Sequence, residues 1–297
     1  MKKAVLEGAL KTSIRLRFLS LCLAAFYGCS PTENTSNSSV QKLVSASDVL
    51  EESSTVYIYA ASSLERFVSE INKRYRKSSP DVKVVVSLVG SQTARLQLER
   101  GAPPGVFISA DIRHIHKLIE RGKVSEHQTL ARNMISLLTR EDSVVDHIDD
   151  LQRGQGFAIG VEQVPVGRYA WDLLRAHFKE RGEDRLTAFV NAHLRTQEVS
   201  ARALKARLRR GEVESAFLYQ SDLDLLKGMR EVPLPSRLTP YRQVKIAISL
   251  TRLTEDSQAS EDALKWYQLA ISRRGGEAIE AARLLPLTMR NENLLRR

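Results

Sequence analysis

Cysteine is scarce in this chain of 297 residues, and neither of its two cysteines lies beyond residue 29. Cys22 lies inside an apolar run, and Cys29 directly follows the end of that run. The rest of the chain therefore lacks the thiols that an internal disulfide, a thiolate-bound metal cluster or a cysteine nucleophile would need.

Familiar catalytic and metal-binding motifs are missing as well. The six histidines show no HExxH spacing, which argues against a metal centre of the zinc-protease type. No G-x-S-x-G segment is present, and no histidine is placed by the sequence as a base for a serine nucleophile. We therefore predict a protein without enzymatic activity or cofactor, and an exported hydrolase remains the weaker alternative.

The apolar run of residues 18–28 is too short to span a bilayer as a mature helix. Because it follows several lysines and arginines, it is typical of an export signal, which we place at residues 1–28. A small residue before Cys29 resembles a bacterial lipoprotein processing site, so we predict a lipid anchor there, with an ordinary signal peptide as the alternative. Residues 29–54 are rich in Ser, Thr and Asn and predict a flexible tether. The protein is then exported, either periplasmic or anchored on the extracytoplasmic side of a membrane.

The net charge of +10 falls to +6 once the charges before Cys29 are set aside. Much of the remaining excess lies in residues 202–210, where no aromatic side chains are interleaved, so nucleic-acid binding is not predicted. We interpret this segment as a solvated helix face, with a membrane-surface or transporter contact as the alternative. The export signal also argues against the effector-binding half of a DNA-binding regulator.

Buried strands alternate with amphipathic helices along the rest of the chain, which predicts mainly parallel α/β structure. The predicted strands are residues 56–60, 82–89, 106–109, 134–139, 157–161, 215–219 and 244–249. Residues 122–133 are interpreted as a long polar connection. The helix after Pro165 is predicted to begin near residue 168, and the late helices are placed at residues 261–271 and 277–284.

Residues 87–112 read as strand, Gly-Ser turn, helix, Gly-Pro break and strand, with Gly90 and Ser91 at the helix start. A helix start offers free backbone N–H groups and the positive end of the helix dipole, so it favours an anion. Similar starts lie near Ser63, Val166 and Val199. Because ligands bind beyond the carboxyl ends of parallel strands, these starts predict one shared anion site.

Each of these residues also has an ordinary structural interpretation. Ser63 is a candidate helix cap, Asp111 a candidate cap for the helix that follows it, and Tyr219 a candidate core aromatic at the end of its strand. Arg66 and Arg168 are expected to point to solvent. The joint pattern favours the anion site over these separate roles.

Four motifs carry a resemblance to a known family. YAASSLERF (residues 59–67), GSQTARLQLERGAPPGVFISAD (90–111), VPVGRYA (164–170) and FLYQSD (217–222) resemble, in order and spacing, the molybdate-binding proteins of bacterial ABC transporters. Those proteins are type II solute-binding proteins, and the likeness covers residues 56–284. Gly90 and Gln92 stand where the family often has serine, which leaves the identity of the anion open.

The resemblance implies a two-lobed type II periplasmic-binding-protein fold, α/β, in which each lobe is a mainly parallel sheet flanked by helices. Lobe I would comprise residues 55–133 and 238–297, and lobe II residues 134–237. The chain would cross between the lobes near residues 132–133 and again at residues 233–240. A monomer is expected.

The resemblance also implies a ligand, a tetrahedral dianion such as molybdate or tungstate. It would be held by the hydroxyls of Ser63, Ser91 and Tyr219 and by the main chain of Val166 and Val199, which would touch the metal only through its oxygens. Delivery would be to an ABC permease with its ATPase. Sulfate, phosphate or an organic anion remain alternatives, and iron is less favoured because only Tyr219 is placed for a ferric site.

Overall fold

The computed structural model describes residues 54–252 and 258–287. The predicted signal peptide, Cys29 and the tether up to residue 53 lie outside the described residues. In the described ranges, no helix is both long enough and apolar enough to cross a membrane.

The described strands are β1 (Thr55–Ala61), β2 (Lys83–Val89), β3 (Val106–Ser109), β4 (Val124–Arg140), β5 (Phe157–Gly160), β6 (Leu194–Glu198), β7 (Ser215–Tyr219), β8 (Met229–Val232) and β9 (Gln243–Thr251). The α-helices are α1 (Glu65–Ser78), α2 (Ser91–Glu99), α3 (Ile112–Glu120), α4 (Pro165–Phe178), α5 (Glu183–His193), α6 (Ala201–Arg209), α7 (Thr239–Arg242), α8 (Gln258–Ile271) and α9 (Arg273–Ala281). Short 3₁₀ helices occupy Ser62–Leu64, Ile148–Gln152, Gln220–Leu225 and Ser236–Leu238.

The strands form one mixed sheet in the order β2-β1-β3-β9-β4-β7-β5-β6, with β8 also paired to β4. In what we call the first half, β1 pairs in parallel with β2 and β3, and β9 closes it antiparallel to β3. In the second half, β5 pairs in parallel with β6 and β7. Each half thus contains three parallel strands; those of the first half are predicted from the sequence, and β5 and β7 but not β6 are predicted in the second.

One long strand, β4, joins the two halves. It pairs with β9 as far as Met134 and with β7 from Ile135 onward. The interpretation of residues 122–133 as a polar connection is therefore wrong. The polar side chains of this segment are largely exposed while its main chain pairs with β9, so an exposed strand face has the polar composition of a loop.

Two strands were missed for a related reason. β6 alternates half-buried and exposed residues at the edge of the sheet, and β8 has only four residues. Neither has the continuous apolar run that marks a buried parallel strand.

The helix after β5 begins at Pro165, earlier than predicted. Proline suits the first helical position because its missing N–H would have no acceptor there. The last helices also start earlier than predicted; α8 packs on β1, β3 and β9 of the first half, and α9 packs on α1 and α8. Trp266 of α8 donates from Nε1 to Asn72 Oδ1 at 2.8 Å, and Tyr75 of α1 donates from its hydroxyl to the Asp262 carbonyl at 3.1 Å.

Candidate anion-binding site

A small cavity of about 20 Å³ lies where the carboxyl ends of the six parallel strands meet. The five residues predicted for the site, Ser63, Ser91, Val166, Val199 and Tyr219, are brought together around it. The other lining residues are Ala61, Ser62, Gly90, Ala110, Val164, Pro165, Ser200 and Ala201. All thirteen of these described residues are neutral.

Ser63 follows β1 in the 3₁₀ turn that leads into α1. Neither Ser62 nor Ser63 caps a helix, because Ala61 and Leu64 occupy the cap positions and no side-chain capping bond is formed at either start. The helix-cap interpretation of Ser63 is therefore wrong for these described residues. Its half-buried hydroxyl lies at the cavity wall without a capping role.

Ser91 is the first residue of α2 and is 1% exposed. Its Oγ accepts a hydrogen bond from the Ala110 N–H at 3.2 Å. A hydroxyl has a single proton to donate, and this bond leaves that proton available to another acceptor. The Ala110 N–H thus fixes the Ser91 hydroxyl at the cavity wall, where its proton can be donated to an anion.

Val166 lies in the first turn of α4. The first bond inside this helix runs from the Arg168 N–H to the Val164 carbonyl at 2.9 Å. The N–H groups of Val166 and Gly167 precede that bond, so they have no acceptor within the helix. A Cβ at Gly167 would lie 2.0 Å from the Val161 carbonyl oxygen, so only glycine permits this tight approach of helix to strand.

Val199 follows β6 and precedes Ser200, which caps α6 by accepting from the Ala203 N–H at 3.2 Å. The Val199 side chain is 67% exposed, so this residue can line the cavity chiefly through its main chain. A Cβ at Gly90 would lie 3.3 Å from the Val199 carbonyl oxygen. The two walls therefore approach closely here, and the glycine at position 90 permits it.

Tyr219 ends β7 and is 2% exposed. Burial, followed by the charges near it, raises its pKa well above the usual value, so its hydroxyl stays protonated and able to donate. Its main-chain N–H donates to Asp222 Oδ2 at 3.3 Å, and Lys205 Nζ donates to the other oxygen of that carboxylate at 2.6 Å.

Lys205 corrects one sequence interpretation. The sequence predicts a solvated basic face over residues 202–210, but the Lys205 side chain is only 10% exposed and pairs with Asp222, which is 1% exposed. Burial raises the pKa of Asp222, and Lys205 opposes that rise. The sequence signal is a lysine at helical spacing from the buried Ala201 and Leu208, among arginines that do reach solvent.

Arg168 corrects a second interpretation. Its guanidinium does not extend into solvent, because Nε donates to Asp111 Oδ2 at 3.0 Å and the side chain is 21% exposed. Burial alone would lower its pKa, but Asp111 and the other anionic neighbours raise it overall. Asp111 caps α3 through the Arg113 N–H at 3.0 Å, which confirms the predicted cap.

Arg66 is also engaged. It donates to the Ala281 carbonyl at 3.0 Å and lies 3.9 Å from Asp224, while its side chain, 36% exposed, still reaches solvent as predicted.

β4, the strand that joins the halves, makes one further contact that the sequence does not predict. Asn133, in β4, is 3% exposed and donates from Nδ2 to Ser221 Oγ at 2.9 Å. Its Oδ1 accepts from the Met134 N–H at 2.9 Å. Nothing in the sequence around Asn133 signals this contact, because it depends on how β4 meets the turn after Tyr219.

Chemically, the cavity offers convergent hydroxyl and backbone donors with neutral walls. A desolvated anion needs several such donors, and helix starts supply them without placing a cation in the pocket. The bond made by Ser91 Oγ within the described chain is to a main-chain N–H rather than to a histidine. The arrangement is suited to holding an anion.

The fold is the one seen in solved structures of type II periplasmic binding proteins. A family model described as bacterial extracellular solute-binding protein matches residues 56–282, and the chain belongs to that family. This is a family of solute-binding proteins rather than enzymes.

Individual relatives agree with this assignment. The molybdate-binding protein ModA of Haemophilus influenzae is 25% identical over 229 residues, covering 73% of this chain and 85% of that one. Among solved structures, the periplasmic molybdate-binding protein of Azotobacter vinelandii aligns with a TM-score of 0.63 at 19% identity, over 78% of this chain and 100% of that one. The sulfate-binding protein SubI of Mycobacterium tuberculosis aligns with a TM-score of 0.63 at 16% identity, over 80% and 88%. The sequence resemblance and the fold class are thereby confirmed.

Proposed function

We propose that this protein captures a tetrahedral oxyanion, molybdate or tungstate, outside the cytoplasm and delivers it to an ABC permease with its ATPase. The observation that carries the proposal is the neutral cavity at six strand ends, lined by Ser63, Ser91, Val166, Val199 and Tyr219. These residues would donate hydrogen bonds to the anion oxygens. The metal of the anion would be reached only through those oxygens.

The size of the cavity supports a compact ligand. About 20 Å³ is little more than the roughly 10–15 Å³ that one water molecule needs. An organic anion would require the walls to move apart, whereas a small inorganic anion requires much less. Size, rather than charge, would then separate molybdate and tungstate from the smaller sulfate.

Capture by closure is supported by the way the two halves are joined. We assign residues 55–133 and 238–297 to one lobe and residues 134–237 to the other, with β4 and residues 233–240 as the two crossings. The change of β4 pairing from β9 to β7 after Met134 supports the first crossing. Ligand binding between such lobes commonly drives hinge closure.

Sulfate is the second candidate, since the solved sulfate-binding relative has the same fold. Iron is less well supported. Across residues 54–252 and 258–287, no three histidine, cysteine, aspartate or glutamate side chains group as metal ligands.

A lipid anchor at Cys29 and a monomeric state complete the proposal. Mass spectrometry of the protein isolated from membranes would detect the lipid adduct on Cys29, and a Cys29→Ser variant released from membranes would support the anchor. An unmodified cysteine in membrane-extracted protein would contradict it.

Isothermal titration with molybdate, tungstate, sulfate and phosphate tests the binding function. We expect heat and a raised unfolding temperature with molybdate and tungstate, and much weaker responses to the other two. Stronger binding of sulfate would favour the second candidate. Absence of heat and of thermal shift with all four anions would contradict oxyanion capture.

A further inference from the structure

Two described residues of opposite charge, one from each half of the sheet, form an ion pair beside the cavity. Asp111 follows β3 in the first half, and Arg168 lies in the first turn of α4 in the second half. The 3.0 Å bond from Arg168 Nε to Asp111 Oδ2 therefore links the two walls. The guanidinium also lies 3.8 Å above the ring of Tyr169, which fixes its orientation.

This pair differs in burial from other ion pairs that join the halves. Arg202 pairs with Glu65 at 3.0 Å, but these side chains are 53% and 58% exposed. The Asp111 side chain is 2% exposed and that of Arg168 is 21% exposed. Exposed pairs contribute little to holding two surfaces together, whereas a buried carboxylate depends strongly on its cation.

The same pair lies close enough to act on the cavity. Asp111 directly follows Ala110, a lining residue, and its charge raises the pKa of Tyr219, whereas the charge of Arg168 lowers it. A carboxylate so close to Tyr219 would repel a bound dianion unless a cation offset it. Arg113 also contacts Asp111, but its side chain is 57% exposed and lies on the same half.

We propose that Arg168 is a positioning residue for anion capture, which links the two walls through Asp111 and offsets the negative charge of that carboxylate beside the anion. This inference rests on the proposed oxyanion-binding function. It predicts that loss of Arg168 and loss of the Asp111 charge have unequal effects on anion affinity. Loss of Arg168 removes the link and leaves a repelling carboxylate, whereas loss of the Asp111 charge removes the link and leaves an attracting cation.

The test is isothermal titration of molybdate into the wild-type chain, Arg168→Gln, Asp111→Asn and the double variant. We expect Arg168→Gln to weaken binding about 30-fold, and Asp111→Asn to weaken it much less, since asparagine can still cap α3. The double variant should bind within about threefold of Asp111→Asn, because the repelling charge is gone. Arg168→Lys, which keeps the charge, should retain more affinity than Arg168→Gln, and it replaces that variant if Arg168→Gln does not fold.

Arg175→Gln is the matched control. Arg175 lies on the same helix and pairs with Glu162 and, at 3.6 Å, with Asp172, all within the second half and all exposed; Asp172 also accepts from Arg168 Nη1 at 3.2 Å, so the control keeps the bond from Arg168 to Asp111 and removes only the cation beside Asp172. Its loss should change affinity less than about twofold.

Equal losses from Arg168→Gln and Asp111→Asn, or unchanged binding by Arg168→Gln, would overturn the inference. Small-angle X-ray scattering separates it from the proposed function. If the wild-type protein binds none of the four anions, the proposed oxyanion capture is contradicted. Scattering then tests separately whether Arg168 links the two walls. A larger radius of gyration for ligand-free Arg168→Gln supports that role, and an unchanged radius overturns it.

Discussion

The two halves of the sheet meet the cavity with the same geometry and different chemistry. Each presents the carboxyl ends of three parallel strands, but the first half places serine hydroxyls there, at Ser63 and Ser91. The second half places main-chain groups at Val166 and Val199 and the single phenol of Tyr219. Donors of the first kind depend on residue identity, and donors of the second kind depend mostly on backbone shape.

The two halves also support their donors differently. Ser91 is oriented by a neutral bond from the Ala110 N–H. Tyr219 is followed by Asp222, whose buried carboxylate accepts from the Tyr219 N–H and is neutralised by Lys205. The donor of the second half is therefore supported directly by a buried ion pair, whereas the bond that holds Ser91 is neutral, and we expect the support of Tyr219 to be sensitive to the loss of one charge.

The largest expected effect tests that difference. Lys205→Ala removes the cation from Asp222 and should lower the free energy of unfolding by about 3–5 kcal/mol, since a buried charge is left uncompensated. Urea denaturation followed by circular dichroism measures it. The matched change in the first half is Lys265→Ala, because Lys265 pairs with Asp262 at 3.0 Å but is 52% exposed.

Lys265→Ala should cost less than about 1 kcal/mol, since Asp262 keeps its bonds from Ser54 and Gln258. Equal losses from the two lysine variants would contradict the proposed difference between the halves.

At acid pH, by contrast, we expect the first half to lose more stability than the second. Burial lowers the pKa of His114, in α3 of the first half, to about 4, and its Nδ1 has no partner among the described residues. Burial also lowers the pKa of His177, in α4, but Asp149 at 2.8 Å opposes that shift.

Because the folded state binds the His114 proton more weakly than the unfolded state does, stability falls as pH drops from about 6.5 to about 4. His114 alone should account for a loss of up to about 3 kcal/mol across that range. Denaturation curves of wild type, His114→Gln and His177→Gln at pH 7, 5.5 and 4 test this. His114→Gln should flatten the pH dependence more, and an unchanged slope would contradict it.

Hydroxyl removal compares the proposed donors directly. Ser91→Ala should weaken molybdate binding by about 2 kcal/mol, roughly 30-fold, since one bond to a charged ligand is lost. It should also lower the unfolding temperature, because the buried Ala110 N–H loses its acceptor. Tyr219→Phe should weaken binding similarly while leaving stability nearly unchanged. Lower stability of Ser91→Ala with unchanged affinity would mean that Ser91 is only a structural acceptor.

The sequence predicts the buried parallel strands of both halves better than the polar and edge strands. Apolar runs identify buried parallel strands such as β1 and β7, and Ser91 stands out at a Gly-Ser helix start. The edge strand β6 and the polar part of β4 carry no such run, so both were missed. The positions of Val166 and Val199 came from helix starts and family resemblance, not from their side chains.

Long-range charge pairing could not be predicted. Arg168 and Asp111 are 57 residues apart, and Lys205 and Asp222 are 17 apart, so their contacts exist only once the strands are ordered. A charged side chain beside an apolar helix face is more often solvated, and that expectation fails for both Arg168 and Lys205. In both cases a buried carboxylate on another element supplied the partner.

The smallest expected effect tests whether the second half acts through its backbone. Val199→Ala removes side-chain atoms that are mostly exposed and leaves the main chain at the cavity unchanged. Molybdate affinity should therefore change by less than about 0.5 kcal/mol, within about twofold. Val199→Pro removes the N–H itself and is the matched change, which should weaken binding well beyond that limit. Equal affinities for the alanine and proline variants would remove Val199 from the proposed donors and leave Val166 as the proposed main-chain donor of the second half.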